Sequence, residues 1–132
     1  MNAAPSSLGA RRITRKRGKA KPLPPGAIYV GKPTIWANPF QGRGWGHAKS
    51  VVLYRRWLSF ELGTLSLERL GFSLVEIEAL DRLRARVLAR LGDLSGKDVA
   101  CWCPPTSRWC HADTLLALAS RQRTNLSEGM HS

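Results

Sequence analysis

Apolar residues recur at helical spacing through the middle of the chain and gather into short unbroken runs on either side of it. Val51, Tyr54, Leu58 and Leu62 form one stripe, which predicts a helix from about Ala48 to Leu62 with Gly63 ending it. Trp57 and Phe60 widen that stripe, while Arg55 and Arg56 lie away from it. A short turn is expected over Thr64 to Gly71. A second helix is announced by Ser73 and Glu76, the spacing of a capping box, with Phe72 and Ile77 as a hydrophobic staple. Leu80, Leu83, Val87 and Leu91 carry its buried stripe to Gly92.

The apolar runs are strands. Ala27-Ile28-Tyr29-Val30 follows the Pro22 to Gly26 turn segment and stops at Gly31. Val99-Ala100-Cys101-Trp102, bounded by Gly96-Lys97 and Pro104-Pro105, has the unbroken character of a strand covered on both faces. Period-two alternation puts Cys101 and Cys103 on one side of it and Trp102 on the other. Thr106 or Ser107 is the expected cap for a last helix, whose first turn is Cys110 to Asp113 and whose apolar face is Leu115, Leu116, Leu118 and Ala119. Two strands alone make a marginal sheet, so a third is expected, with Arg12-Ile13-Thr14 the candidate.

Strand, long loop, two helices, strand, cysteine loop, helix is an α/β order, because the helices supply the crossover that parallel strands need. The expectation is a small single domain with a partly parallel sheet flanked by about three helices. Residues 23–120 form it, preceded by a basic, largely disordered arm (1–22) and followed by a disordered tail (121–132).

The loop from Gly31 to His47 carries two Trp and a Phe, more large apolar surface than a free loop should hold, so it is expected to fold against the body. Asn38 before Pro39 favours an extended or turn backbone and offers an amide to a base, to a sugar or to the loop itself. Gly42-Arg43-Gly44-Trp45-Gly46 lets backbone N–H groups approach a phosphate, with a flexible hinge as the plainer reading. It matches neither the P-loop nor the dinucleotide fingerprint.

Composition adds a partner class. The chain of 132 residues has a formal charge of +12, and that excess makes a polyanion the expected partner. Much of it lies in Arg11, Arg12, Arg15, Lys16, Arg17, Lys19 and Lys21, which suit phosphate neutralisation without base reading. A solvated tail is the alternative. Three cysteines, no signal-peptide pattern and no apolar run long enough to span a bilayer lead to the expectation of a soluble cytoplasmic protein with reduced thiols and no membrane contact. At this length about two thirds of the unfolded surface is removed from water, so no disulfide is needed for folding.

All three cysteines fall between the second strand and the last helix. Cys110 at a helix start is placed for a stabilised thiolate, His111 for proton transfer or anion binding, and Asp113 for orienting its neighbour. Lys32, Trp36, Asn38 and Arg43 from the long loop, with Cys103, complete an expected ligand site for a nucleic acid or nucleotide at the carboxyl edge of the sheet. A second reading is zinc on Cys101, Cys103, Cys110 and His111, although CxC with an adjacent Cys-His is not the paired CxxC spacing of structural zinc sites. The third is a basic nucleic-acid-associated module without catalysis, its cysteines buried as small hydrophobes and His111 a helix-start hydrogen bonder.

Tyr29-Val30-Gly31-Lys32-Pro33, Trp36-Ala37-Asn38-Pro39-Phe40, Tyr54-Arg55-Arg56-Trp57-Leu58, Gly96 to Pro104, and Cys110-His111-Ala112-Asp113 with Leu115-Leu116 closely resemble a family of bacteria and phages known as domain of unknown function 4326. The resemblance runs from about Arg11 to Ser120. The family's usual Gly before Asn-Pro-Phe is Ala37 here, and Trp109 lengthens the cysteine loop. The resemblance implies this fold and this site location; it implies no settled activity. The Cys-Trp-Cys-Pro and Cys-His-Ala-Asp ends also look like other small α/β families with a ligand site between a strand end and a helix N-terminus.

Overall fold

The computed structural model describes residues 12–14, 26–101 and 110–129. Three strands, β1 (Arg12–Thr14), β2 (Ile28–Tyr29) and β3 (Val99–Cys101), make one sheet in the order β1-β3-β2. Both pairings are parallel, so the sheet expected to be partly parallel is parallel at each described pair. Val99 stands opposite Arg12 and Ile28, and Cys101 opposite Thr14. β3 is buried at all three positions, as its unbroken apolar run requires of a central strand. The candidate third strand therefore exists, and Arg12 belongs to the sheet rather than to the arm.

Helix α1 (His47–Leu58) carries the Val51, Tyr54 and Leu58 stripe, with Leu53 and Trp57 also buried. It stops before the expected Gly63. The Phe60 N–H bonds to the Trp57 carbonyl and the Glu61 N–H to the Arg56 carbonyl, a Schellman closure with Phe60 in the left-handed position at φ 61°. Phe60 is thus 65% exposed instead of widening the apolar face, and the Arg84 guanidinium sits 4.1 Å over its ring.

The expected turn is a helix, α2 (Thr64–Arg69), closed in the same way at Gly71, where φ is 102° and glycine carries no penalty. α3 (Leu74–Ala89) has the predicted capping box. The Glu76 N–H donates to Ser73 Oγ at 3.2 Å and the Ser73 N–H to Glu76 Oε1 at 2.9 Å. Phe72 and Ile77 are both buried, as the staple requires. A 3₁₀ turn (Leu91–Leu94) then leads to β3.

The last helix, α4 (His111–Gly129), packs against that turn, α1 and β3. It buries Ala112, Leu115 and Ala119. It runs past Ser120, where the apolar period fades and a disordered tail was expected. Arg121, Gln122 and Arg123 are good helix formers, and no Gly or Pro intervenes before Gly129.

The long loop does fold against the body. Phe40 is its buried centre, edge-on to Trp57 at 5.7 Å and to Phe72 at 5.8 Å, with Trp45 at 6.3 Å. Ala37 does not sit at positive φ, so the family's glycine at that position answers no backbone demand here.

Candidate functional site

Parallel strands end at one edge of the sheet, and the first turn of α4 lies across that edge. Each of its three polar or sulfur-bearing residues grips a different strand. Cys110, the residue before the helix, has its sulfur 3.2 Å from that of Cys101 at the end of β3. The His111 Nε2 is 2.8 Å from the carbonyl oxygen of Val30, just past β2. A carbonyl only accepts, so Nε2 carries the proton there. Asp113 Oδ2 is paired with the Arg12 guanidinium of β1 at 3.2 Å. Helix and sheet are clasped at this edge through three strands at once.

The electrostatics centre on Arg12. Its side chain is largely buried, and burial opposes its charge. A hydrogen bond to Cys110 and the Asp113 carboxylate outweigh that cost and raise its pKa above the ordinary arginine value. Asp113 is shifted upward because burial outweighs the pull of Arg12, with Cys110 adding to the rise. Tyr54 packs edge-on to the His111 ring at 5.5 Å, and burial pushes its phenol far above the usual tyrosine range. Tyr54 stays protonated and donates to the Trp36 carbonyl at 2.8 Å.

Beside the clasp runs an open groove of about 350 Å³ between α1 and α4. Cys110, Asp113, Thr114, Ala117 and Arg121 line it at the i, i+3, i+4, i+7, i+11 spacing of one helix face, and Val51, Val52 and Arg55 form the facing wall. Arg55 and Arg121 are exposed at this groove.

The sequence-predicted residues divide. Cys110, His111, Asp113 and Cys101 come together at the sheet edge, joined by Arg12, which the sequence offered as an arm cation and as part of a candidate strand but not as a member of this cluster. Trp36 and Asn38 are buried in the long loop. Asn38 Oδ1 accepts from the Phe40 N–H at 2.9 Å, an Asx turn, and Nδ2 donates to the Ser50 carbonyl at 3.1 Å. Its amide is spent holding the loop on α1.

Arg43 stacks on Phe72 at 4.1 Å and pairs with Glu76 at 2.8 Å, so it reinforces the start of α3. Lys32 is exposed. Arg11, Arg15, Lys16, Arg17, Lys19, Lys21, Cys103 and the expected caps Thr106 and Ser107 lie outside the described residues. Cys101 and Cys110 are equally buried, each 1% exposed. What separates them is that Cys110 borders the groove. Arg55 and Arg121 were not singled out as ligand contacts, and only the packing of α1 on α4 brings them to one groove.

A family described as a domain of unknown function, DUF4326, matches residues 13–121. The chain belongs to the DUF4326 family. The match begins inside β1 and ends in α4, so the parallel sheet and the clasp of this DUF4326 domain lie within it apart from Arg12. Neither the curated proteins nor the solved structures compared with the chain give a match. Among the described residues of the DUF4326 domain, no helix is long and apolar enough to cross a membrane, and no group of three His, Cys, Asp or Glu side chains is arranged to hold a metal ion.

Proposed function

We propose that the domain binds the phosphates of a nucleotide or nucleic acid in the groove between α1 and α4, and that the basic segment following β1 in the sequence adds sequence-independent affinity. The observation that carries this reading is the convergence of Arg55 and Arg121 on one open groove that also holds the Thr114 and Cys110 side of the α4 start. Two guanidiniums on facing helices suit oxygen-rich anions, and the overall charge of +12 draws such ligands in. His111 and Asp113 act in this reading by holding α4 on the sheet, since their polar atoms are bonded to Val30 and Arg12. Thiol-dependent chemistry would then fall to Cys110, supported by Arg12.

Fluorescence anisotropy with a labelled single-stranded oligonucleotide and with a labelled nucleoside triphosphate tests it. Arg55→Glu combined with Arg121→Glu should weaken binding by roughly tenfold or more, about 1.4 kcal/mol, and flatten the salt dependence. Arg82→Glu, on the exposed side of α3, should change little. If the groove variant binds normally while Gln at Arg15, Lys16 and Arg17 abolishes binding, the affinity belongs to the basic segment and the groove reading fails. Zinc is the competing use of the same corner, favoured by the meeting of Cys101 and Cys110. Elemental analysis of freshly purified protein decides that point.

A further inference from the structure

Cys101 ends the central strand and Cys110 precedes α4, and the fold brings their sulfurs to 3.2 Å. Two side chains in contact need only small rotations to reach the disulfide bond length of about 2.05 Å. The sulfurs differ in surroundings. Cys110 borders the open groove and is hydrogen-bonded by the Arg12 guanidinium, a cation that favours the sulfur anion. Cys101 lies in the strand beneath, shielded from the groove. A groove-side cysteine supported by a cation, with a second sulfur touching it from behind, is the arrangement of a reactive cysteine with its resolving partner.

We propose that Cys101 and Cys110 form a dithiol that a hydroperoxide oxidises reversibly to a disulfide, with Cys110 the sulfur that reacts first. The Cys110 thiolate attacks the distal peroxide oxygen. The O–O bond breaks, and the alkoxide leaves with a proton as the alcohol. Cys110 is then a sulfenic acid, oxidised by the two electrons the peroxide has gained. Cys101 gives up its proton and attacks the Cys110 sulfur. The S–S bond forms as the S–O bond breaks, and hydroxide takes the proton to leave as water. A dithiol reductant reverses the change by thiol–disulfide exchange. None of this depends on the groove's ligand, because the groove serves only to admit a small peroxide.

The experiment uses the full chain, reduced and treated with chelator, then given hydrogen peroxide or tert-butyl hydroperoxide and quenched with a thiol-blocking reagent. Peptide mapping should find Cys101 joined to Cys110 as the first product, with two hydrogen atoms lost from the intact mass and restored by dithiothreitol. Cys103→Ser should preserve that product. In Cys101→Ala the reaction should stop at a Cys110 sulfenic acid that dimedone traps, and in Cys110→Ala no adduct should form at Cys101. Arg12→Met should slow the first step roughly tenfold, because the cation beside the attacking sulfur is gone. Circular dichroism checks that each variant is folded, and the wild-type and Cys103→Ser maps decide the matter if Cys101→Ala is not. A predominant disulfide to Cys103 would overturn the proposal. So would intact thiols in folded wild-type protein after excess peroxide, or stoichiometric zinc, in protein never exposed to chelator, whose removal unfolds the domain.

Discussion

Replacing Asn38 by Ala separates a residue that holds the loop from one that contacts a ligand. Asn38 is 3% exposed, and both ends of its amide are used inside the protein. Its loss orphans the Phe40 N–H, a donor beside a fully buried ring, which costs about 1–3 kcal/mol as an unsatisfied buried group. The second bond is worth less, because the Ser50 carbonyl lies within α1 and has a second lone pair for the helix; about 0.5–1 kcal/mol is reasonable. The sum is about 1.5–4 kcal/mol, or roughly 10 °C in Tm for a domain of this size. Urea unfolding followed by tryptophan fluorescence should show the midpoint falling with the slope unchanged. Binding per folded molecule should be retained. A loss below about 0.5 kcal/mol, or lost binding with stability intact, would refute the reasoning and return Asn38 to the ligand site.

Tyr54→Phe should cost about 1–2 kcal/mol, since the Trp36 carbonyl loses its buried donor while the ring stays against His111 and Trp57; the same unfolding assay measures it. Glu76 gives a pH signature. Its carboxyl is held below the usual range by the Ser73 N–H and then by Arg43. A depressed carboxylate contributes stability that is present above its unfolded value, near 4.3, and is lost as pH falls through the folded one. Unfolding midpoints of wild type and Glu76→Gln should therefore converge below about pH 4; a gap constant from pH 7 to pH 3 would contradict the assignment.

Much of this architecture was written locally. The α3 start is encoded by Ser73 and Glu76 three residues apart, and the central strand by Val99, Ala100 and Cys101 between glycine and proline. Those signals need no knowledge of the rest of the chain. The end of α1 was not legible, because a Schellman closure ordinarily asks for glycine and the chain offers Gly63 three residues beyond the Phe60 that takes the position. Arg84, stacked on that ring and bonded to the Trp57 carbonyl at 3.2 Å, comes from another helix. α4 outran its expected length because polar residues of good helix propensity look like a tail when no apolar period marks them. In the candidate site, Cys110, His111 and Asp113 were singled out by their adjacency, but their partners Cys101, Val30 and Arg12 are set by the sheet order. Arg12 and Asp113 are 101 positions apart, and only the parallel placement of β1 beside β3 brings them together.

That sheet order also explains why a Cys-His-x-Asp sequence opens α4. β1 and β2 are too short to be secured by ladder hydrogen bonds alone, at three and two residues. A helix whose first turn bonds to all three strands supplies what the ladder lacks. Each residue type fits its attachment. Asp113 meets an arginine at the edge strand, His111 donates to the carbonyl that follows β2, and Cys110 fills the small space above Cys101. The order Cys, His, x, Asp follows from geometry, since helical rotation of about 100° per residue sends neighbouring positions toward different strands. A catalytic triad would instead need those side chains to face one another. His111 is committed to the sheet, whereas Cys110 and Asp113 both border the groove; Asp113 is already paired with Arg12, and Cys110 meets both that arginine and Cys101. The proposed dithiol chemistry accordingly draws on one sulfur, its touching partner and an arginine from the far end of the chain.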